Sequence, residues 1–182
     1  MKERYNIGLE PVSKPTLIEY LDLYLNHYGV QAINEGEVIR VLMSYYAHGR
    51  LSHFACAKRI TGEIVCAMGV CYTPEDDAYI FSHLVTHADH RKQGLAKQII
   101  MTGAKMLMLL EPRMIRNHKR MNVIPVEYFH EMGFEEENIP LKGMPEYTLR
   151  YTWRNPNNGG EHATEESEGR LEVSNDRKDL QK

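Results

Sequence analysis

Long apolar runs are missing from this sequence of 182 residues, and no segment of it is apolar enough to span a membrane. The first residues, MKERYNIGLEPVSK, also lack the apolar stretch of a secretory signal peptide. With 42% hydrophobic residues, the chain has enough apolar material for one globular domain. We therefore expect a cytoplasmic protein that does not bind membranes.

Cysteine is scarce in the sequence. Cys56, Cys66 and Cys71 are the only three, and each lies in apolar, strand-like sequence. An odd number of thiols in such positions favours a reducing compartment and argues against a disulfide framework. No basic group is fixed beside any of them by the sequence, so a catalytic thiolate is not expected.

A basic field is also missing, because the formal net charge of the chain is −3. Residues 155–182 contain seven acidic and four basic residues, which accounts for the whole of that charge and leaves residues 1–154 neutral. We therefore expect no dedicated nucleic-acid binding. Residues 155–182 have no aromatic residue and are rich in Gly, Asn, Glu and Ser. This composition predicts a folded domain over residues 1–154 and a disordered polar, acidic tail after it.

The two best-known phosphate-binding motifs are absent as well: neither G-x-x-x-x-G-K-[ST] nor G-x-G-x-x-G occurs. A different pattern, RKQGLA over residues 91–96, lies between an apolar strand and an amphipathic helix. Gly94 and Ala96 leave the backbone bare where the helix begins, so its unpaired N–H groups can approach an anion closely. This pattern is typical of a phosphate or pyrophosphate site, although small residues at a helix start often serve only to pack the helix on a sheet.

Hydrophobic periodicity predicts four helices and six strands. The helices cover about residues 15–28, 35–47, 95–110 and 122–133, the last one with Asn122 as N-cap and Gly133 as C-cap. The strands cover part of 1–14, then 53–59, 63–72, 78–86, 113–117 and 145–153. Several strands are apolar on both faces, which predicts an α/β domain whose sheet is covered by helices on both sides.

Two segments, residues 91–96 and 122–134, resemble the GNAT superfamily of N-acetyltransferases. The first matches its acyl-CoA signature Q/R-x-x-G-x-G/A, and the second matches N-x-x-A-x-x-L-Y-x-x-x-G-F. The fixed positions of the two motifs are filled by Arg91, Gly94, Ala96, Asn122, Gly133 and Phe134. The resemblance covers residues 1–153 and implies a GNAT-like fold, with a central mixed, mostly antiparallel sheet and helices on both faces.

The resemblance also implies that the protein moves an acetyl group from acetyl-CoA to an amine by direct attack. Backbone groups of Leu84, Val85 and Thr86 would then pair with the pantetheine arm, and Asn122 would hydrogen-bond near that arm or the reacting centre. The backbone amides that would cradle the pyrophosphate belong to Arg91, Lys92, Gln93, Gly94, Leu95, Ala96 and Lys97. Tyrosines on the first two helices, Tyr24 among them, would face the acceptor.

The acid and base positions depart from the family pattern. Phe129 stands where many members have a tyrosine as general acid, and Tyr128 is one residue earlier. Asn117 stands where some members have a glutamate base. His83, whose imidazole titrates near neutrality, is the candidate base, and a packed structural histidine is its alternative. We therefore take His83, Asn122 and Tyr128 as the catalytic candidates.

The sequence thus predicts an N-acetyltransferase whose acceptor is an amine on a small molecule or a protein, with a homodimer left open. The rival interpretation is a non-catalytic module that binds acyl-CoA or a partner on the same fold, and the missing tyrosine and carboxylates favour it. No metal is expected, because His83, His87 and His90 lack a fourth ligand at a recognised spacing.

Overall fold

The computed structural model of the protein describes residues 4–27, 35–118, 125–141 and 144–158. Its strands are β1 (Tyr5–Pro11), β2 (Leu51–Arg59), β3 (Ile64–Thr73), β4 (Ala78–Thr86), β5 (Met114–His118), β6 (Glu135–Leu141) and β7 (Met144–Arg154). Its helices are α1 (Lys14–His27), α2 (Glu35–Ala47), α3 (Leu95–Met108) and α4 (Val126–Glu131), with a short 3₁₀ turn at Ala88–His90.

The strands form one seven-stranded sheet in the order β1-β2-β3-β4-β5-β7-β6. β4 and β5 are its one parallel pair among the described strands, and α3 makes the crossover between them. The mixed, mostly antiparallel sheet predicted from the sequence is therefore confirmed.

Apolar side chains fill both faces of the sheet. On one face, residues of α3 and α4 such as Ile99, Ile100 and Phe129 pack on Phe81 and Ile115 of the sheet. On the other face, a second cluster joins α1 and α2 to the sheet; its members include Leu17, Tyr20, Tyr24, Leu42, Phe54 and Cys56. Because helices cover both faces, the strands are apolar on both sides, as the sequence predicted.

β4 contains one residue more than the stretch of β3 that it pairs with. Ala67 pairs with Val85 and Gly69 pairs with Ser82, so Met68 alone lies opposite both His83 and Leu84. This is a β-bulge, and His83 has a positive φ of 53° there. The other edge of β4 pairs with β5 only from Ala78 to Phe81. Beyond the bulge, residues 84–86 therefore have β3 on one side and no described strand on the other.

The structure corrects two sequence predictions. β6 was missed because its sequence, EEENIPL, is acidic rather than apolar; it is the edge strand, where charged residues discourage further pairing. α4 begins at Val126 with Pro125 as its N-cap, so the prediction that Asn122 caps it is wrong. A proline disfavours helical backbone in the residue before it, which explains the later start. Gly133 ends the helix in left-handed backbone, with φ of 81°, as predicted.

The chain remains attached to the sheet for a few residues beyond β7. The Asn155 N–H donates to the carbonyl of Arg113 at 2.9 Å, and Asn155 is buried. Its side-chain oxygen accepts from the N–H of Asn157 at 2.9 Å, which closes a turn. We therefore propose that the folded domain reaches Asn158, four residues beyond the predicted boundary.

Two truncations test this boundary. A chain ending at Asn158 should melt within about 1 °C of the full-length protein, if residues 159–182 are as disordered as their composition predicts. A chain ending at Arg154 loses the Asn155 contacts, and we expect its melting temperature to fall by about 2–6 °C. Calorimetry of the three proteins measures both values. Equal melting of the two truncated chains would contradict the extended boundary, and a large loss on ending at Asn158 would show that the tail packs on the domain.

Candidate active site

The segment from the end of β4 to the first turn of α3 forms an open cradle of backbone N–H groups. Lys92 and Gly94 have positive φ angles, 60° and 75°, which turn the chain sharply into the helix. The first helical bond described for α3 runs from the Gln98 N–H to the Gly94 carbonyl at 3.1 Å. Gly94 has no side chain to cap the earlier N–H groups, so the first turn presents bare donors and the positive end of the helix dipole.

Side chains of the same loop hold it in place. The Arg91 guanidinium donates to the carbonyl of Thr86 at 3.2 Å and also to the carbonyl of His27 at the end of α1. The Tyr5 hydroxyl of β1 donates to Gln93 Oε1 at 3.0 Å. Arg91 and Gln93, two predicted binding residues, therefore connect the loop to neighbouring elements through their side chains, and only their backbone amides remain candidates for an anion.

Lys97 and Tyr128 flank the first turn of α3. The Lys97 ammonium lies 3.2 Å from the centroid of the Tyr128 ring, a close cation–π contact between α3 and α4. Both side chains are half-buried. The contact places a phenol and a positive charge together beside the bare N–H groups, and the sequence motifs gave no sign of this pairing.

Phe129, which stands at the family's usual acid position, is fully buried and stacks on Tyr151 at 4.2 Å. The ring of Phe134 meets it edge-on at 5.6 Å. Residue 129 therefore belongs to the core beneath α4, and Tyr128 is the α4 phenol that approaches the cradle.

His83 lies on the other side of the sheet, at the bulge. Its ring meets the ring of Tyr24 edge-on at 6.1 Å, and its backbone carbonyl accepts a hydrogen bond from the Tyr20 hydroxyl. Both tyrosines belong to α1, so this helix holds the bulge in place. The structure thus brings together His83 and Tyr24, the candidate base and a candidate acceptor contact, one residue from the open edge of β4.

His87 and His90 point away from a shared site with His83. The His87 ring lies 3.8 Å from the ring of His27 and 5.3 Å from that of His90, whereas His83 contacts Tyr24. Partial burial, and then the neighbouring His87 and Arg91, hold the pKa of His27 below its usual value. Across the described ranges, no group of three His, Cys, Asp or Glu side chains is placed to hold a metal ion.

The three cysteines are buried and free. Burial raises the pKa of Cys56 to about 12 and the pKa values of Cys66 and Cys71 to about 11. Thiols with such pKa values are almost entirely protonated at neutral pH and are weak nucleophiles. A covalent thiol mechanism is therefore disfavoured, and direct transfer to the acceptor is the simpler chemistry. Asn122 lies outside the described residues.

No family model and no curated protein matches the sequence. Solved structures do match the fold. The ribosomal-protein-S18-alanine N-acetyltransferase of Escherichia coli matches with a TM-score of 0.58 and 11% identity, over 82% of this chain and 94% of that one. A spermidine N-acetyltransferase from Vibrio cholerae, in complex with CoA and spermine, gives a TM-score of 0.55 and 13% identity, over 82% and 96%.

A third match is a protein from Desulfovibrio desulfuricans assigned to the GNAT family of acetyltransferases, with a TM-score of 0.58 and 13% identity, over 82% of this chain and 99% of that one. The chain therefore has the GNAT N-acetyltransferase fold, as the two sequence motifs implied. Within the described part of the chain, no helix is long and apolar enough to cross a membrane.

Proposed function

We propose that the protein transfers an acetyl group from acetyl-CoA to an amine. One observation carries the proposal: the open edge of β4 at residues 84–86 leads within ten residues to the bare N-terminal turn of α3. A strand edge binds an extended, amide-bearing chain, and a helix N-terminus binds a phosphate. The pantetheine arm and the pyrophosphate of CoA combine these two groups in one molecule.

The backbone of Leu84, Val85 and Thr86 would pair with the pantetheine arm, and the N–H groups of the α3 first turn would hold the pyrophosphate. Lys92 and Lys97 add positive charge beside them. This arrangement directs the thioester toward the bulge, where His83 and Tyr24 lie on the side of α1. The acceptor would therefore enter from the face of the sheet that α1 and α2 cover.

The proposed reaction has one attack and one departure. The amine nitrogen attacks the thioester carbonyl carbon, and His83 accepts the proton that the nitrogen loses. The C–S bond then breaks, and the thiolate leaves with the bonding electrons and takes up a proton. Tyr128, on the α4 side of the cradle, is the phenol placed nearest to supply it. A thiol has a pKa of about 8.5, so this last protonation needs little help from the protein.

The second candidate is a non-catalytic module that binds acyl-CoA. It is favoured by one observation: Phe129 is stacked in the core and cannot donate a proton. The two candidates agree on the ligand and differ in turnover.

The charge at Gly94 tests CoA binding. Its φ of 75° strains most side chains, but Asn and Asp tolerate this backbone, and a Cβ there would meet only Gln98 Nε2, at 3.8 Å. We expect Gly94→Asp to weaken CoA binding at least about tenfold relative to Gly94→Asn. Two unit charges about 6 Å apart repel by roughly 1.4 kcal/mol at an effective dielectric constant of about 40.

Calorimetric titration with CoA measures the difference, and the Asn variant controls for size and backbone. Equal affinities of the two variants would show that the pyrophosphate binds elsewhere.

A turnover assay separates the enzyme from the binding module. Free CoA should be released from acetyl-CoA only when an amine is added, and spermidine and a peptide with N-terminal alanine cover the acceptor types of two structural neighbours. We expect His83→Asn, which tolerates the φ of 53°, to lower kcat about 100-fold with CoA affinity unchanged. His53→Asn, on β2, is the matched control. Wild-type protein that binds CoA but never turns over with any amine would favour the second candidate.

A further inference from the structure

Asn117, on β5, is fully buried, with a relative exposure of 0%. Neither its side-chain oxygen nor its side-chain nitrogen has a hydrogen-bond partner within the described part of the chain. A buried carboxamide without partners is costly, because each polar atom has lost water and gained nothing in return. Such a group in the core calls for a functional explanation.

The position of Asn117 supplies one. It is the last β5 residue that pairs with β4, opposite Phe81, and it pairs with Tyr151 of β7 on its other side. Its side chain lies on the face of Ile115 and Tyr151, which α3 and α4 cover. Two apolar rings therefore flank the carboxamide at the point where β4 bulges away from β5. This point is the inner end of the open β4 edge.

The two unpartnered atoms restrict what can bind there. Oδ1 needs a donor and Nδ2 needs an acceptor. A thioester carbonyl offers only an acceptor, and a protonated amine offers only donors, so each would leave one atom of Asn117 unpaired. A secondary amide offers both groups side by side and satisfies the carboxamide completely.

We propose that Asn117 binds an amide of the pantetheine arm through a pair of hydrogen bonds and so positions the thioester at the bulge. The inference rests on the proposed function, since the pantetheine arm carries two amides and the β4 edge would take the other. Asn117 then has a binding role at the position where some GNAT members carry a base. Its unpaired state in the free protein lowers stability and is relieved by the ligand.

The substitution Asn117→Leu tests this role. Leucine has a similar size and no polar atoms, so the melting temperature of the free protein should stay the same or rise. Affinity for CoA should fall about tenfold or more through the loss of two hydrogen bonds, while affinity for adenosine 3′,5′-bisphosphate, which lacks the pantetheine arm, should not change. A purely structural asparagine would give the opposite pattern, with lower stability and unchanged affinity.

Thr152→Val is the matched control. The Thr152 hydroxyl is also fully buried and unpartnered, but its Cα pairs with Arg116, so it lies on the opposite face of the sheet. We expect the variant to keep both stability and CoA affinity. Wild-type protein that binds no CoA would overturn the proposed function together with this inference. Wild-type binding with an equally tight Asn117→Leu variant would overturn the inference alone.

Discussion

One extra residue in β4 is the constraint on which the candidate site depends. The bulge at His83 and Leu84 shifts the register with β3, and pairing with β5 ends just before it. Backbone groups that a regular strand would have used within the sheet are thereby turned toward the space between β4 and β5. The left-handed backbone at His83 is held from α1 by the Tyr20 hydroxyl, which bonds to the His83 carbonyl. The helix that would line the acceptor side therefore also maintains the ligand-binding edge.

The position of α3 is the second requirement, and a glycine determines it. A Cβ on Gly103 would lie 2.9 Å from the Cβ of Ala55, too close for any residue larger than glycine without a shift of the helix. The absence of a side chain lets α3 lie directly on β2 and Phe81. With the helix fixed there, its bare first turn lies beside the end of β4. Lys97 then reaches the Tyr128 ring, which connects α3 to α4 next to the proposed pyrophosphate site.

The sequence predicted the cradle well, because a glycine at a helix start and an amphipathic pattern behind it are local signals. It could not predict the bulge, since one additional residue in an apolar strand leaves the hydrophobic pattern unchanged. It missed β6, whose acidic residues suit an exposed edge and carry no apolar alternation. Motif matching aligned Phe129 with the usual acid, but tertiary packing decided the roles: Phe129 stacks on Tyr151, and its neighbour Tyr128 approaches the cradle.

The central claim is that the open edge of β4 and the first turn of α3 form one acyl-CoA site. Amide hydrogen exchange with and without saturating CoA tests it most directly, because the claim concerns backbone N–H groups. The account predicts that exchange slows at least about tenfold over residues 84–97 and stays unchanged over β1 and over β2. Unchanged exchange over residues 84–97, with CoA bound, would contradict it.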